Sequence, residues 1–93
     1  MKATWQNKII AESDATEVVE GNHYFPPDSV KQEFLQKSDT PYTCPWKGEC
    51  QYYNLVDGET IGKDMAWAYP DPKPAAEHIR GYLAFDPRVS VEA

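Results

Sequence analysis

YTCPWKGECQYYNLVDGETIGKDMAWAYP, residues 42–70, decides how this chain is read. YTCPW (42–46) and CQYYNLV (50–56) are rich in aromatic and β-branched residues and flank Lys47-Gly48, so they read as two strands joined by a turn. Asp57-Gly58 is a tight-hairpin signal, and it leads into a third strand, ETIGKDMAWAYP (59–70). Strand side chains alternate between faces, so Tyr52 and Tyr53 point opposite ways, one to a core and one free to line a cleft. Trp67 and Tyr69, two residues apart, share a face. A run of antiparallel strands is therefore the centre of the molecule.

Outward from there the same grammar continues. KATWQNKIIAES (2–13) reads as a hairpin turning near Gln6-Asn7, and ATEVVEG (15–21) as a β-rich run ending at Gly21-Asn22. Phe25 precedes a proline and is pushed into an extended conformation. Within PPDSVKQEFLQKS (26–38), Pro27, Asp28 and the i, i+4 pair Val30 and Phe34 predict one short helix of about two and a half turns. PDPKPAAEHIRG (70–81) predicts a short helical turn ending at Gly81, and Leu83, Phe85, Val89 and Val91 alternate in the last strands. The expected fold is mainly β, seven to nine short strands in a curved sheet or partly closed barrel, with one or two short helices.

Ninety-three residues make a single domain, 1–93, and a chain of this size buries only roughly 60–65% of its unfolded surface. Its thin core must lean on three Trp, six Tyr and three Phe. A formal charge of −6, with nine basic residues scattered along the chain, argues against a nucleic-acid or anionic-membrane partner. No apolar run is long enough for a bilayer span, and MKATWQNKII has no signal-peptide core, so a cytoplasmic location is expected. Without a secretory signal, two cysteines read as thiols rather than a disulfide. Oligomeric state is not legible in these features.

Four chemistries compete for the motif CPWKG (44–48) and its surroundings. His23, Cys44, Cys50 and His78 have the right count for a Cys₂His₂ zinc site, but their spacing matches no finger, and neither a metal nor a cofactor is expected. Cys44 is a candidate nucleophile, with Lys47 as the cation that would stabilise its thiolate and His23 as a base. The bland alternative makes Cys44 a small apolar filler beside Trp46. The third chemistry, a small-molecule pocket, is favoured. Trp46, Tyr53, Trp67 and Tyr69 would supply aromatic walls, Lys47 a positive charge, Gly48 a close backbone approach and His23 a further polar group. The partner would then be a small anionic or carbonyl-bearing molecule, bound or acted on by the domain. Asp64 or Asp28 would pair with Lys47, although capping and turn formation explain those carboxylates as well. The fourth is an interaction module whose aromatic surface meets another protein.

HYFPPDSV (23–30), TCPWKG (43–48) followed by YY (52–53), MAWAYPDP (65–72) and IRGYLAF (79–85) together resemble a small bacterial family, family 427 of the domains of unknown function. The resemblance spans roughly residues 8–91. It implies a compact β-tent-like fold, related to zinc-binding β-tents but without their paired Cys-x-x-Cys ligands, and it brings no established reaction. Related β-tents include thiol-based methionine sulfoxide reductases, so a redox or transfer role for Cys44 is the alternative it implies. The family's nucleotidyltransferase-like label finds no paired-Asp metal motif after a Gly-Ser turn in this chain.

Overall fold

A computed structural model describes all of residues 1–93. Nine strands follow in order: β1 (Lys2–Trp5), β2 (Lys8–Glu12), β3 (Glu17–Val19), β4 (Asn22–Tyr24), β5 (Leu35–Cys44), β6 (Gly48–Asp57), β7 (Thr60–Ala68), β8 (Leu83–Phe85) and β9 (Ser90–Glu92). They form three antiparallel sheets: β2-β1-β9, the hairpin β3-β4, and the four-stranded β5-β6-β7-β8. The mainly-β expectation holds. No closed barrel forms: the strands divide among three sheets, and the four-stranded sheet has β5 at its edge. No helix is long and apolar enough to cross a membrane.

Turn chemistry sets the hairpins. Gln6 and Asn7 both have positive φ, 53° and 62°, the pattern of a type I′ turn whose twist matches the strands it joins. Gly58 takes φ 61° at the first position of the β6–β7 turn. The β3–β4 turn lies one residue earlier than the sequence suggested: Val19 pairs with Asn22, which leaves Glu20 (φ 54°) and Gly21 (φ 80°) as its central residues.

The helix expected over residues 26–38 is absent. Two short 3₁₀ turns stand there instead, Pro27–Ser29 and Gln32–Phe34, and β5 begins at Leu35. Val30 between them is extended (φ −104°, ψ 132°), bridges to Ala11 and is buried, while the Lys31 N–H donates to the Ile10 carbonyl at 2.8 Å. One i, i+4 apolar pair cannot hold a helix when its β-branched member gains more from a bridge to the neighbouring strand. The turn expected before Gly81 is a 3₁₀ segment, Pro74–Ile79.

The long central sheet buries both faces. On one, Leu55, Ala66, Ala68, Leu83 and Phe85 join Ala3, Trp5, Ile10 and Ala11 of the β1–β2 hairpin and Phe25 in the main core. On the other, Cys44, Tyr69 and Ala84 pack against Val19 and Tyr24 of the small hairpin and Ala76 and Ile79 of the 3₁₀ segment. This second, smaller core is where the candidate site lies.

Candidate functional site

Three residues, Pro45, Trp46 and Lys47, connect β5 to β6, with Cys44 paired to Gly48 across the turn. Two contacts from the following chain fix this loop. The Lys73 N–H donates to the Lys47 carbonyl at 2.9 Å, and the Lys73 ammonium donates to the Pro45 carbonyl at 2.7 Å. Gly48 has φ 110°, and a Cβ there would stand 3.4–3.6 Å from the backbone of Asp71, Pro72 and Lys73. Those are ordinary contact distances, so the positive φ rather than crowding calls for glycine here, and the backbone beside it is the chain's own.

The loop turns Lys47 inward. Lys47 is 6% exposed, the single charged residue among the buried ones. Its ammonium lies 5.3 Å from the centre of the Trp46 ring and 5.2 Å from that of Tyr69, both within cation–π range. It pairs with the Glu20 carboxylate at the tip of the β3–β4 hairpin, whose side chain is 54% exposed. Burial works against the ammonium's charge, but hydrogen bonding to Glu20 and the surrounding negative potential outweigh it, so Lys47 titrates above the ordinary lysine value. The same hydrogen bond from Lys47 holds the Glu20 carboxyl below its usual range. Lys47 is therefore held protonated beside Glu20.

Beside this ammonium is a hollow of about 200 Å³. Tyr24, Tyr42, Tyr52, Trp67 and Tyr69 wall it, and Asn22 and Lys47 complete the lining. The sheet register produces this set: Tyr52 stands opposite Trp67, and their rings meet edge to face at 6.4 Å. The Trp67 indole N–H donates to the Tyr24 hydroxyl at 3.0 Å, which ties the small hairpin to the sheet. Burial pushes the Tyr24, Tyr52 and Tyr69 phenols above the ordinary tyrosine value, so all three are neutral hydroxyls at physiological pH. Lys47 is the only charged side chain in the lining.

Of the residues expected at a pocket, Lys47, Trp67 and Tyr69 come together here, and Trp46 stacks on the ammonium without lining the hollow. Tyr53 does not belong to it. Alternation sends Tyr53 to the main core and leaves Tyr52 as the wall. His23 faces away for the same reason: Asn22 and Tyr24 line the hollow, while His23 Nδ1 shares a hydrogen bond with the Thr16 hydroxyl at 3.0 Å and borders a separate cavity near Met1 and Asp86. Cys44 is buried in the second core and has no side-chain hydrogen bond to His23 or Lys47. Burial pushes the Cys50 thiol up to about 11, away from the thiolate. No three His, Cys, Asp or Glu side chains gather where a metal could sit, so His23, Cys44, Cys50 and His78 do not form one ligand set.

The carboxylate partner also differs from expectation. Asp64 accepts hydrogen bonds from the Ser38 and Thr40 hydroxyls instead, where a register shift bends the central sheet, and Lys47 takes Glu20. Glu20, Asn22, Tyr24 and Tyr42 went unread as site residues. The i, i+2 spacing of Asn22 and Tyr24 was the available signal, but only the docking of the hairpin says which face meets Lys47.

Fold and site together define a small, mainly-β domain that carries a lysine-centred aromatic hollow between a central sheet and a hairpin. The chain belongs to the family described as Domain of unknown function (DUF427), whose model, labelled NTP_transf_9, matches residues 1–93. No curated protein matches the chain.

Proposed function

We propose that this domain binds a small anionic metabolite in the hollow beside Lys47. The observation that carries the reading is a buried ammonium, 6% exposed, that is the sole charge in an aromatic lining. Burying a cation is costly, and a domain this small has little stability to spare. A charge kept there needs a reason beyond packing. Neutral phenols, an amide and an ammonium supply donors for an oxyanion, and the rings of Trp67 and Tyr52 supply faces for a compact, planar body.

Size narrows the ligand. About 200 Å³ is below the roughly 300 Å³ at which pockets for drug-sized molecules begin. A short carboxylic or keto acid suits this volume, and a larger molecule could seat only an end group in it. Lys47, held protonated, acts as an electrostatic anchor in this reading.

A thermal-shift screen of small carboxylates, keto acids, phosphate esters and nucleotides tests it. A true ligand at a hundred times its dissociation constant adds about 2.7 kcal/mol. For a domain of this length that raises the melting temperature by roughly ten degrees or more. Lys47→Met should abolish the shift. A hit that survives this substitution places the ligand elsewhere and overturns the proposal.

A further inference from the structure

Lys47, the one charge in the lining, already has a counter-ion that stands outside that lining, and this bears on what can enter. Glu20 is the one carboxylate paired with Lys47, so the resting site has no net charge. An anion arriving beside an intact pair brings an uncompensated negative charge into a partly desolvated space. Ligand and Glu20 therefore compete for one positive charge.

Glu20 also sits where local preference does not ask for it. The first central position of a type I′ turn requires positive φ, and Asn, Asp or Gly is the usual occupant. A glutamate at φ 54° accepts a backbone conformation that the shorter polar residues adopt more readily. Its side chain, reaching Lys47, explains the choice where the turn does not.

The burial of the pair is lopsided, and this tells which partner can leave. Lys47 is enclosed, while the Glu20 side chain is 54% exposed. Water awaits the carboxylate as soon as the contact breaks. The hairpin carrying it has two three-residue strands paired only with each other, and Val19, the Tyr24–Trp67 hydrogen bond and the Phe25–Leu83 bridge anchor it. Of these anchors only Val19, which closes the turn beside Glu20, adjoins the tip, and a two-stranded ribbon is marginally stable by itself. The Glu20 side chain can turn to water with Val19 left in place, giving up the ion pair and its hydrogen bond with Trp46.

We infer that Glu20 is the specificity-determining residue of the hollow: a resident counter-anion that the carboxylate of an incoming ligand displaces from Lys47. The inference rests on the ligand reading above and deepens it. Glu20 stands in for the ligand's own carboxylate in the empty protein, and it sets the threshold an anion must exceed. Neutral molecules of the same shape gain nothing from its removal.

The test is an acetate titration at constant ionic strength, followed by the fluorescence of Trp46 and Trp67, on the wild type and on Glu20→Asn, Glu20→Gln and Lys47→Met, with acetamide as the neutral control. Glu20→Asn removes the charge and creates Asn-Gly, a favoured type I′ pair, so the turn is kept. Both Glu20 variants should bind acetate at least tenfold more tightly than the wild type, with acetamide unaffected and Lys47→Met binding neither. A merely structural Glu20 would not tighten binding when removed. Equal or weaker acetate affinity in the Glu20 variants, with Lys47→Met inactive, overturns the role of Glu20 and leaves the ligand reading standing. No acetate binding by any of the four proteins overturns both. Glu20 variants that fail to fold even in saturating acetate make Glu20 a structural residue and overturn the inference alone.

Discussion

Lys47→Met separates a lysine kept for stability from one kept for a ligand. Methionine preserves the apolar stem and much of the volume, so the packing against Trp46 and Tyr69 survives. Three electrostatic changes remain. Two cation–π contacts are lost, at 5.2 and 5.3 Å, worth about 1–3 kcal/mol together. The attraction to Glu20 is lost too, but its outer partner is more than half in water and the pair is largely screened. Against these stands the desolvation of an ammonium that is 6% exposed, several kcal/mol returned when the charge is removed. The balance predicts a variant between wild-type stability and about 2 kcal/mol above it. In thermal and urea denaturation followed by circular dichroism, each kcal/mol would appear as about 4–8 °C in Tm, with the urea m-value unchanged. A loss of more than about 2 kcal/mol would show that Lys47 is a structural clamp, and the argument that its burial signals function would fail.

Leu55, fully buried in the main core, should cost about 2–5 kcal/mol as Leu55→Ala in urea denaturation, without altering the hollow. Gly48→Ala forces φ 110° on an alanine, although its Cβ would fit beside the 71–73 backbone; a loss of about 1–3 kcal/mol is expected from the backbone strain, together with any ligand response that depends on the Lys47 loop. Stability should fall on the alkaline side beginning near pH 9. The unfolded Cys50 thiol ionises from about 9.0, whereas the folded one, raised to about 11, holds its proton, so the unfolded state gains with each step in pH across that window. Tyr24 and Tyr69, whose folded values are raised above 10.0, extend the fall upward. Cys50→Ala should move the onset to near pH 10 in a pH series of melting temperatures; an unmoved onset removes Cys50 as the cause.

The acid side runs the other way. The folded Glu20 carboxyl is held below its ordinary 4.5, so its contribution is complete above that pH and disappears as the pH falls through the lowered folded value. In a Lys47→Met background this part of the acid limb should vanish, and its persistence would assign the limb to Asp64, Glu77 and Asp86, whose carboxyls are lowered by Ser38, Arg80 and Arg88 respectively.

Local chemistry was enough for the strands and most turns. Asn7 and Gly58 announce hairpins because positive φ is cheap for only a few residue types, although the second turn is Gly58-Glu59 with Asp57 already in β6, and aromatic and β-branched runs around them have one use in a short chain. CPWKG, Trp67 and Tyr69 were equally legible as a possible site, since a lysine beside a Pro-shaped turn and two rings on one face are patterns within a few residues of each other. The helix over 26–38 was misread because the bridge that replaces it reaches back to Ala11, beyond any local window. Which of Tyr52 and Tyr53 faces the hollow was also undetermined: alternation says they differ, and only the covering layers say which face is which. Glu20 is the clearest case. It lies 27 residues from Lys47, in the turn of a separate two-stranded sheet, and meets it because Val19 and Tyr24 dock the hairpin on the second core while the next residue, Phe25, enters the main one. Periodicity records the faces an element offers, whereas the pairing of distant charges follows from how those faces are stacked, and that is decided only when the whole chain has collapsed.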